Sequence, residues 1–339
     1  MKYLLSGYYG MANLGDDILL YVTLSEVSQI DASAKFTIIS QRPLVLPEST
    51  AVCIKPQGRL RTVRELLKHD IWLFGGGGII QDYNAGSLHS LIKTYRLAKI
   101  AKLLGRKIVM IGIGIGPLET KEGRIVAKKL LGTADFLTVR DLNSGAIASQ
   151  LGLPNVNITG DLALLLQLPD VAETVSSSPD GMKVLGLSVL PLYANRGRPR
   201  GQDRQVAENF AWAINKVLDE SSDWVVKLFE IHGGSTSYSD RAVLSILQDQ
   251  SKYPHRILYC HYDPNIFRMI SEIKRCDAFI AMRLHASILA YRFNIPFLMV
   301  GYHPKCLGFA EMIGYPIDQI MSAQDLQNRE LLYQSITKL

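Results

Sequence analysis

Long hydrophobic runs are missing from this chain: none of its 339 residues belongs to a charge-free apolar stretch of 18 or more, the length a membrane-spanning helix requires. Cysteine is scarce. Cys53, Cys260, Cys276 and Cys306 stand far apart with no CxxC pair, which argues against a disulfide framework or a cysteine zinc site and fits a reducing compartment. The seven His residues form no HExxH or HxH pattern, so no metal is expected. Neither sign of charge dominates. The 37 Lys and Arg against 31 Asp and Glu leave +6, read here as a mild, dispersed excess. Such an excess suits an anionic small molecule or an anionic membrane surface and is too small to argue for nucleic acid. Fixed-period repeats and low-complexity tracts are absent, and 47% hydrophobic with 20% charged residues describe an ordinary globular protein. The first residues, MKYLL, lack the apolar length and cleavage site of a signal peptide, so the expectation is a cytoplasmic protein.

What is present is alternation. Short apolar runs read as strands buried on both faces: Lys2–Ser6, Lys35–Ser40, Ala51–Ile54, Ile71–Phe74, Lys107–Ile111, Phe136–Val139 and Val156–Ile158. A second series comprises Lys183–Ser188, Trp224–Phe229, Arg256–Tyr259, Ala278–Ala281 and Phe297–Val300. Helical periodicity fills most gaps, as in Ser87–Leu104, where Leu88, Leu91, Ile92, Tyr95, Ala98 and Leu103 lie near one stripe. This spacing predicts an α/β protein with two Rossmann-like, doubly wound parallel-sheet domains facing a cleft. The aperiodic, Ser/Pro/Asp-rich stretch 168–182 separates a first domain, 1–167, from a second, 183–315. A helical segment, 316–339, is expected to pack back on the first domain.

In open parallel sheets ligands sit beyond the carboxyl ends of the strands, and these segments are rich in Gly and polar groups. Gly7–Asp17 (GYYGMANLGDD) offers Gly10 for close backbone approach, with Asn13 and Asp16 to cap a helix or hold sugar hydroxyls. Its spacing fits neither GxGxxG nor a P-loop. Gly75–Asp82 (GGGGIIQD) contains Gly76 and Gly77, which either present backbone N–H groups to a ligand or permit a crowded crossing. Gly112–Leu118 (GIGIGPL) is an extended segment with one bare side. In Thr138–Asp141 (TVRD), Arg140 is either an anion clamp or the partner of the cap residue Asp141. In Ala281–Ala290 (AMRLHASILA), Arg283 and His285 stand at a helix start, an anion-favouring place with a proton-transfer group. Tyr302, His303 and Lys305 of GYHPK close the series.

These segments, with Thr159–Asp161 (TGD) and in this order, resemble the polysaccharide pyruvyl transferase family over nearly the whole chain. The resemblance implies a fold like that of GT-B glycosyltransferases. It implies an enzyme that moves a pyruvyl group from phosphoenolpyruvate onto two hydroxyls of a sugar in a cell-wall or exopolysaccharide, or its lipid-linked precursor. The products are a cyclic ketal and phosphate, and no cofactor is used. The second domain is expected to take the donor through Arg283, with Arg140 and Lys305 serving its other anionic group. His285 is expected to handle a proton, and Asp16 or Asp161 to deprotonate the acceptor. Gly10, Asn13, Gly76, Gly77 and Tyr302 are expected as acceptor or loop contacts. The sequence departs from the pattern where many relatives carry Arg after the first strand of the second domain. Val189 and Leu190 stand there, with Arg196, Arg198 and Arg200 in the following loop. Two other readings stay open: a sugar-nucleotide glycosyltransferase of the same fold, and a catalytically silent sugar-binding protein. Partners are then small molecules, with at most peripheral membrane contact at the inner face through basic segments such as Lys121–Lys129.

Overall fold

Val, Ile, Leu and Phe dominate the strand segments, and every strand ladder is parallel. The computed structural model describes residues 1–42, 51–54, 58–83, 85–153, 155–168, 181–195, 199, 201–234 and 239–339. The chain divides into two compact units, Met1–Met11 with Asp16–Gln167, and Ala12–Gly15 with Leu168–Leu339. The short insertion Ala12–Gly15 thus departs from the simple division at residue 167.

The first unit contains β1 (Lys2–Leu5), α1 (Leu14–Ile30), β2 (Lys35–Ile39), β3 (Ala51–Ile54), α2 (Gly58–Lys68) and β4 (Ile71–Gly75). It continues with α3 (Ala85–Leu103), β5 (Lys107–Ile113), α4 (Lys121–Leu131), β6 (Phe136–Val139), α5 (Leu142–Gln150) and β7 (Asn157–Ile158). The sheet order is β3-β2-β1-β4-β5-β6-β7, so the chain reverses direction across the sheet between β1 and β4. Side chains alternate between the faces. Leu4, Trp72, Phe74, Ile108 and Met110 share a core with Leu66 of α2, Leu97 of α3 and Leu130 of α4. Tyr3, Leu5, Phe36, Ile38 and Leu73 form another with Leu20 of α1.

The second unit contains β8 (Lys183–Ser188), α6 (Leu192–Asn195), α7 (Gly201–Glu220), β9 (Trp224–Phe229), α8 (Arg241–Asp249) and β10 (Ile257–Cys260). Then follow α9 (Ile266–Lys274), β11 (Ala278–Ala281), α10 (Leu284–Arg292), β12 (Phe297–Met299), α11 (Pro304–Met312) and α12 (Arg329–Ile336). The order β10-β9-β8-β11-β12 puts its reversal between β8 and β11. Leu185, Leu187, Val226, Leu228 and Ile280 pack on Phe210 and Ile214 of α7 and Leu244 of α8. Phe229 and Phe279 meet on the opposite face, ring centroids 5.3 Å apart.

The structure corrects three expectations. The segment 316–339, expected on the first domain, joins the core of the second unit: Leu326, Leu332 and Ile336 lie beneath α7. Leu103 is 85% exposed rather than part of the buried stripe of α3. The strand expected to end at Ile111 runs to Ile113, through Gly112 at φ +58° and a register shift against β6. Among the described residues, no helix is long and apolar enough to cross a membrane.

Candidate active site

In the first unit the glycine-rich loop after β4 lies at the switch point. Gly76 and Gly77 take φ of +75° and +83°, a region that side chains with a Cβ rarely adopt. Gly76 N–H donates to Ile111 O at 2.8 Å and Gly77 O accepts from Gly114 N–H at 2.8 Å, so the loop is anchored on both sides. The carboxylate of Asp16, in the first turn of α1, lies against Gly77: a Cβ there would sit 3.3 Å from Oδ1. Beneath them Tyr9 is buried and donates its hydroxyl to Gly75 O at 3.3 Å. Burial pushes the Tyr9 phenol well above its ordinary range, and the negative charge of Asp16 adds to the effect. Gly10, at φ +70°, packs its Cα against Ser40 and Arg42, so its first duty is steric.

The other first-unit candidates form one buried ion network. Arg140, 5% exposed after β6, directs Nε to Asp141 at 3.1 Å and Nη1 to Asp161 at 3.3 Å. Both carboxylates also cap helical turns: Asp141 accepts from Ser144 N–H at 2.7 Å, Asp161 from Ala163 N–H at 3.0 Å. The guanidinium lies against the Cα of Gly114, where a Cβ would come 2.7 Å from Nη2. Gly114 is therefore the seat of Arg140, while Gly112 and Gly116 face Leu162 and Ile147. Asp82, last residue of the GGGGIIQD motif, accepts from Thr120 N–H at 2.9 Å and from its hydroxyl at 2.5 Å, organising the start of α4.

In the second unit, Arg283 follows β11 and holds the N-cap position of α10, with His285 in the first turn. Arg283 bonds Asp240 through Nε at 3.0 Å and Nη2 at 2.5 Å. Asp240 is fully buried and accepts from His232 N–H at 2.9 Å, while its own N–H donates to His232 O at 2.9 Å. Burial raises Asp240 above the usual carboxylate range despite the pull of Arg283, and the charge of Glu230 works in the same upward direction. Glu230, also fully buried, is met by Arg241 at 3.3 Å and His261 at 3.2 Å. Ser188, at the end of β8, has a buried hydroxyl without a hydrogen-bond partner among the described residues, a state that costs about 1–3 kcal/mol.

Residues Ala12–Gly15 count with this unit. Leu14 N–H donates to Ile231 O at 2.9 Å, Gly233 N–H to Ala12 O at 2.8 Å, and Asn13 forms a bridge with His232. A Cβ on Gly15 would overlap the His285 imidazole, so glycine is what admits the ring there. After β12, His303 caps α11 by accepting from Lys305 N–H at 3.2 Å, and Lys305 Nζ lies 5.8 Å from the Tyr302 ring centroid.

Each candidate named from the sequence thus lies at a strand's carboxyl end: Gly10, Asp16, Gly76, Gly77, Arg140 and Asp161 in the first unit, Arg283, His285, Tyr302 and Lys305 in the second. Asn13 sits in the inserted segment. Arg196, Arg198 and Arg200 lie outside the described residues. Sequence reasoning missed Tyr9, Glu230, His232 and Asp240. Glu230 and His232 follow β9 directly, and the strand-end rule applied to every strand, not only the glycine-rich ones, would have found them. Asp240 carries no such signal. Val189 and Leu190, where many relatives carry Arg, are 0% and 2% exposed in the core, a place with no room for a solvated guanidinium.

A family model described as polysaccharide pyruvyl transferase matches residues 13–304, most of both units. This chain belongs to that family. No curated protein matches its sequence. Solved structures resemble it in fold. S. aureus MnaA, solved with UDP, has 13% identity over 100% of this chain and 87% of its own, at a TM-score of 0.61. The UDP-GlcNAc 2-epimerase of Neisseria meningitidis, bound to UDP-GlcNAc, has 12% identity over 100% of both chains, TM-score 0.55. The E. coli ADP-heptose lps heptosyltransferase II has 13% identity over 100% of this chain and 98% of its own, TM-score 0.53. At such identities the likeness is one of fold: this pyruvyl transferase family member has the two parallel-sheet α/β domains of GT-B glycosyltransferases and epimerases.

Proposed function

We propose that this protein transfers a pyruvyl group from phosphoenolpyruvate to two hydroxyls of a sugar in a cell-wall or exopolysaccharide, or in its lipid-linked precursor. It would work in the cytoplasm, using no cofactor. The observation that carries the reading, beside family membership, is Arg283 braced by buried Asp240 at the entry of α10. A guanidinium held in one orientation at a helix N-terminus is preorganised for phosphate or carboxylate. Lys305, at the start of α11, serves the donor's other anionic group in this reading. Arg140 is engaged by two carboxylates and is assigned to holding the first unit's loops instead.

In the reaction a proton adds to the methylene carbon of phosphoenolpyruvate and C2 becomes electrophilic. One sugar hydroxyl attacks C2, the C2–O bond to phosphate breaks, and the second hydroxyl closes the ketal. Two hydroxyl protons are released; one balances the proton taken up by carbon and the other leaves with phosphate. His285 handles the proton at the donor, and Asp16, beside the Gly77 backbone, receives a hydroxyl proton. Asp161 is the weaker candidate base, because its oxygens already serve Ala163 N–H and Arg140.

Titration calorimetry with phosphoenolpyruvate against UDP-sugars tests the reading. Binding of phosphoenolpyruvate, with phosphate release once a sugar acceptor is added, is the expected result. Binding of a UDP-sugar alone would replace it with glycosyl transfer, and binding of saccharide alone with a silent sugar-binding protein.

A further inference from the structure

The net charge of +6 is not dispersed, as the sequence suggested. Residues 1–167 carry 19 Lys and Arg against 13 Asp and Glu, whereas residues 168–339 carry 18 of each. Within the first stretch, α2, α3 and α4 alone hold twelve Lys and Arg against two Glu. Helix α3 touches both α2 and α4, and all three bury their apolar sides in one core against one face of the sheet. Their outer sides therefore form a single surface.

Each outer side mixes basic and apolar side chains. On α2, Leu60, Arg64 and Leu67 follow one another at helical spacing and all are exposed, the leucines by 87% and 53%. On α3, Arg96 and Lys99 are exposed and lead to Leu103. On α4, Arg124 and Lys128 flank exposed Ile125. Little of the charge is spent locally. Lys68 pairs with Glu65 and Lys102 with Asp135, but Arg64, Arg96, Lys99 and Lys128 form no ion pair with any described residue.

We propose that this three-helix layer docks on an anionic lipid bilayer. Lys and Arg surrounding protruding aliphatic side chains is the composition of a surface that lies at the lipid headgroups, charge drawing it in and leucine inserting. A nucleic-acid surface fits less well. The only Phe, Tyr or Trp on these helices is Tyr95, and it packs against the core, leaving no exposed ring of these types to stack on a base. The proposal stands independently of the pyruvyl-transfer reading.

Co-sedimentation of the full chain with vesicles tests it. The protein should pellet with vesicles rich in phosphatidylglycerol at about 0.1 M salt and stay in solution with pure phosphatidylcholine. It should be released near 1 M salt, where the screening length falls to about 3 Å. A variant with one reversal per helix, Arg64→Glu, Arg96→Glu and Lys128→Glu, should lose at least about 100-fold in binding, at roughly fivefold per charge removed. Its melting temperature, measured on the same sample, should match the parent's. If it melts early, the milder Arg64→Gln, Arg96→Gln and Lys128→Gln set decides the matter with the same vesicles. Leu60→Ser with Leu103→Ser should weaken binding without changing its salt dependence. Equal binding to both vesicle types, undiminished binding by the charge variants, or binding to a DNA duplex with none to vesicles would each overturn the proposal.

Discussion

Asp240 is fully buried, and the guanidinium beside it is that of Arg283. Removing one member of such a pair strands the other, at a cost of about 3–5 kcal/mol. Burial already raises Asp240, so it can escape part of that cost by taking up a proton. Arg283→Ala should therefore lower the melting temperature as well as weaken phosphoenolpyruvate binding. Combining Arg283→Ala with Asp240→Asn removes the stranded charge, so much of the stability should return while donor affinity stays low. Thermal melts and calorimetry on the two variants check this, and recovery of affinity along with stability would take Arg283 out of the donor site. The sequence pointed to Arg283 and His285 because a motif at a strand end carries them. It was silent on Asp240, whose meeting with Arg283 across 43 positions is made only by folding.

The elements were the most legible level. Twelve apolar runs became twelve strands, and the inner ones are rich in Val, Ile, Leu and Phe because parallel strands covered on both faces need them; the edge strands depart from this, with Val52 of β3 and both residues of β7 exposed. Their ends were less so: β5 continues through Gly112 because pairing with β6 resumes beyond the register shift, which no local pattern encodes. Asp135, just before β6, shows what an element end gains from one carboxylate. It accepts from Ile108 N–H at 2.8 Å and from Lys102 at 2.9 Å. Burial pushes Asp135 upward, but the Ile108 N–H, Lys102 and Lys107 outweigh it and hold the group below the ordinary carboxylate value. A carboxylate lowered on folding stabilises above its unfolded pKa of about 3.9, and that stability is lost as pH falls through the folded value. Asp135→Asn should thus lower the melting temperature at pH 7, and its gap from the parent should close as pH drops below about 4. A gap that persists unchanged into acid would show that charge is not the cause.

At the scale of the whole molecule, each unit owns its cores: Leu187, Phe210 and Ile280 share one in the second unit, while Trp72, Met110 and Leu130 share another in the first. A fragment spanning residues 181–339 should therefore unfold cooperatively by circular dichroism. It lacks Ala12, whose carbonyl accepts from Gly233 N–H, so the Gly233 amide should exchange with solvent faster in the fragment than in the full chain. A fragment without a cooperative transition would show that the second core depends on the rest of the chain. The sequence alone determined the class of the fold, the strand inventory and the strand-end motifs, because hydrophobic period and glycine placement are local properties written within a few residues. Tertiary structure decided the rest. It turned Arg140 into the centre of a buried network with Asp141 and Asp161, set Arg283 on Asp240, folded 316–339 onto the second core, and brought α2, α3 and α4 into one basic surface. Each of these depends on which distant segments become neighbours, and that is fixed by strand order and packing rather than by any run of residues.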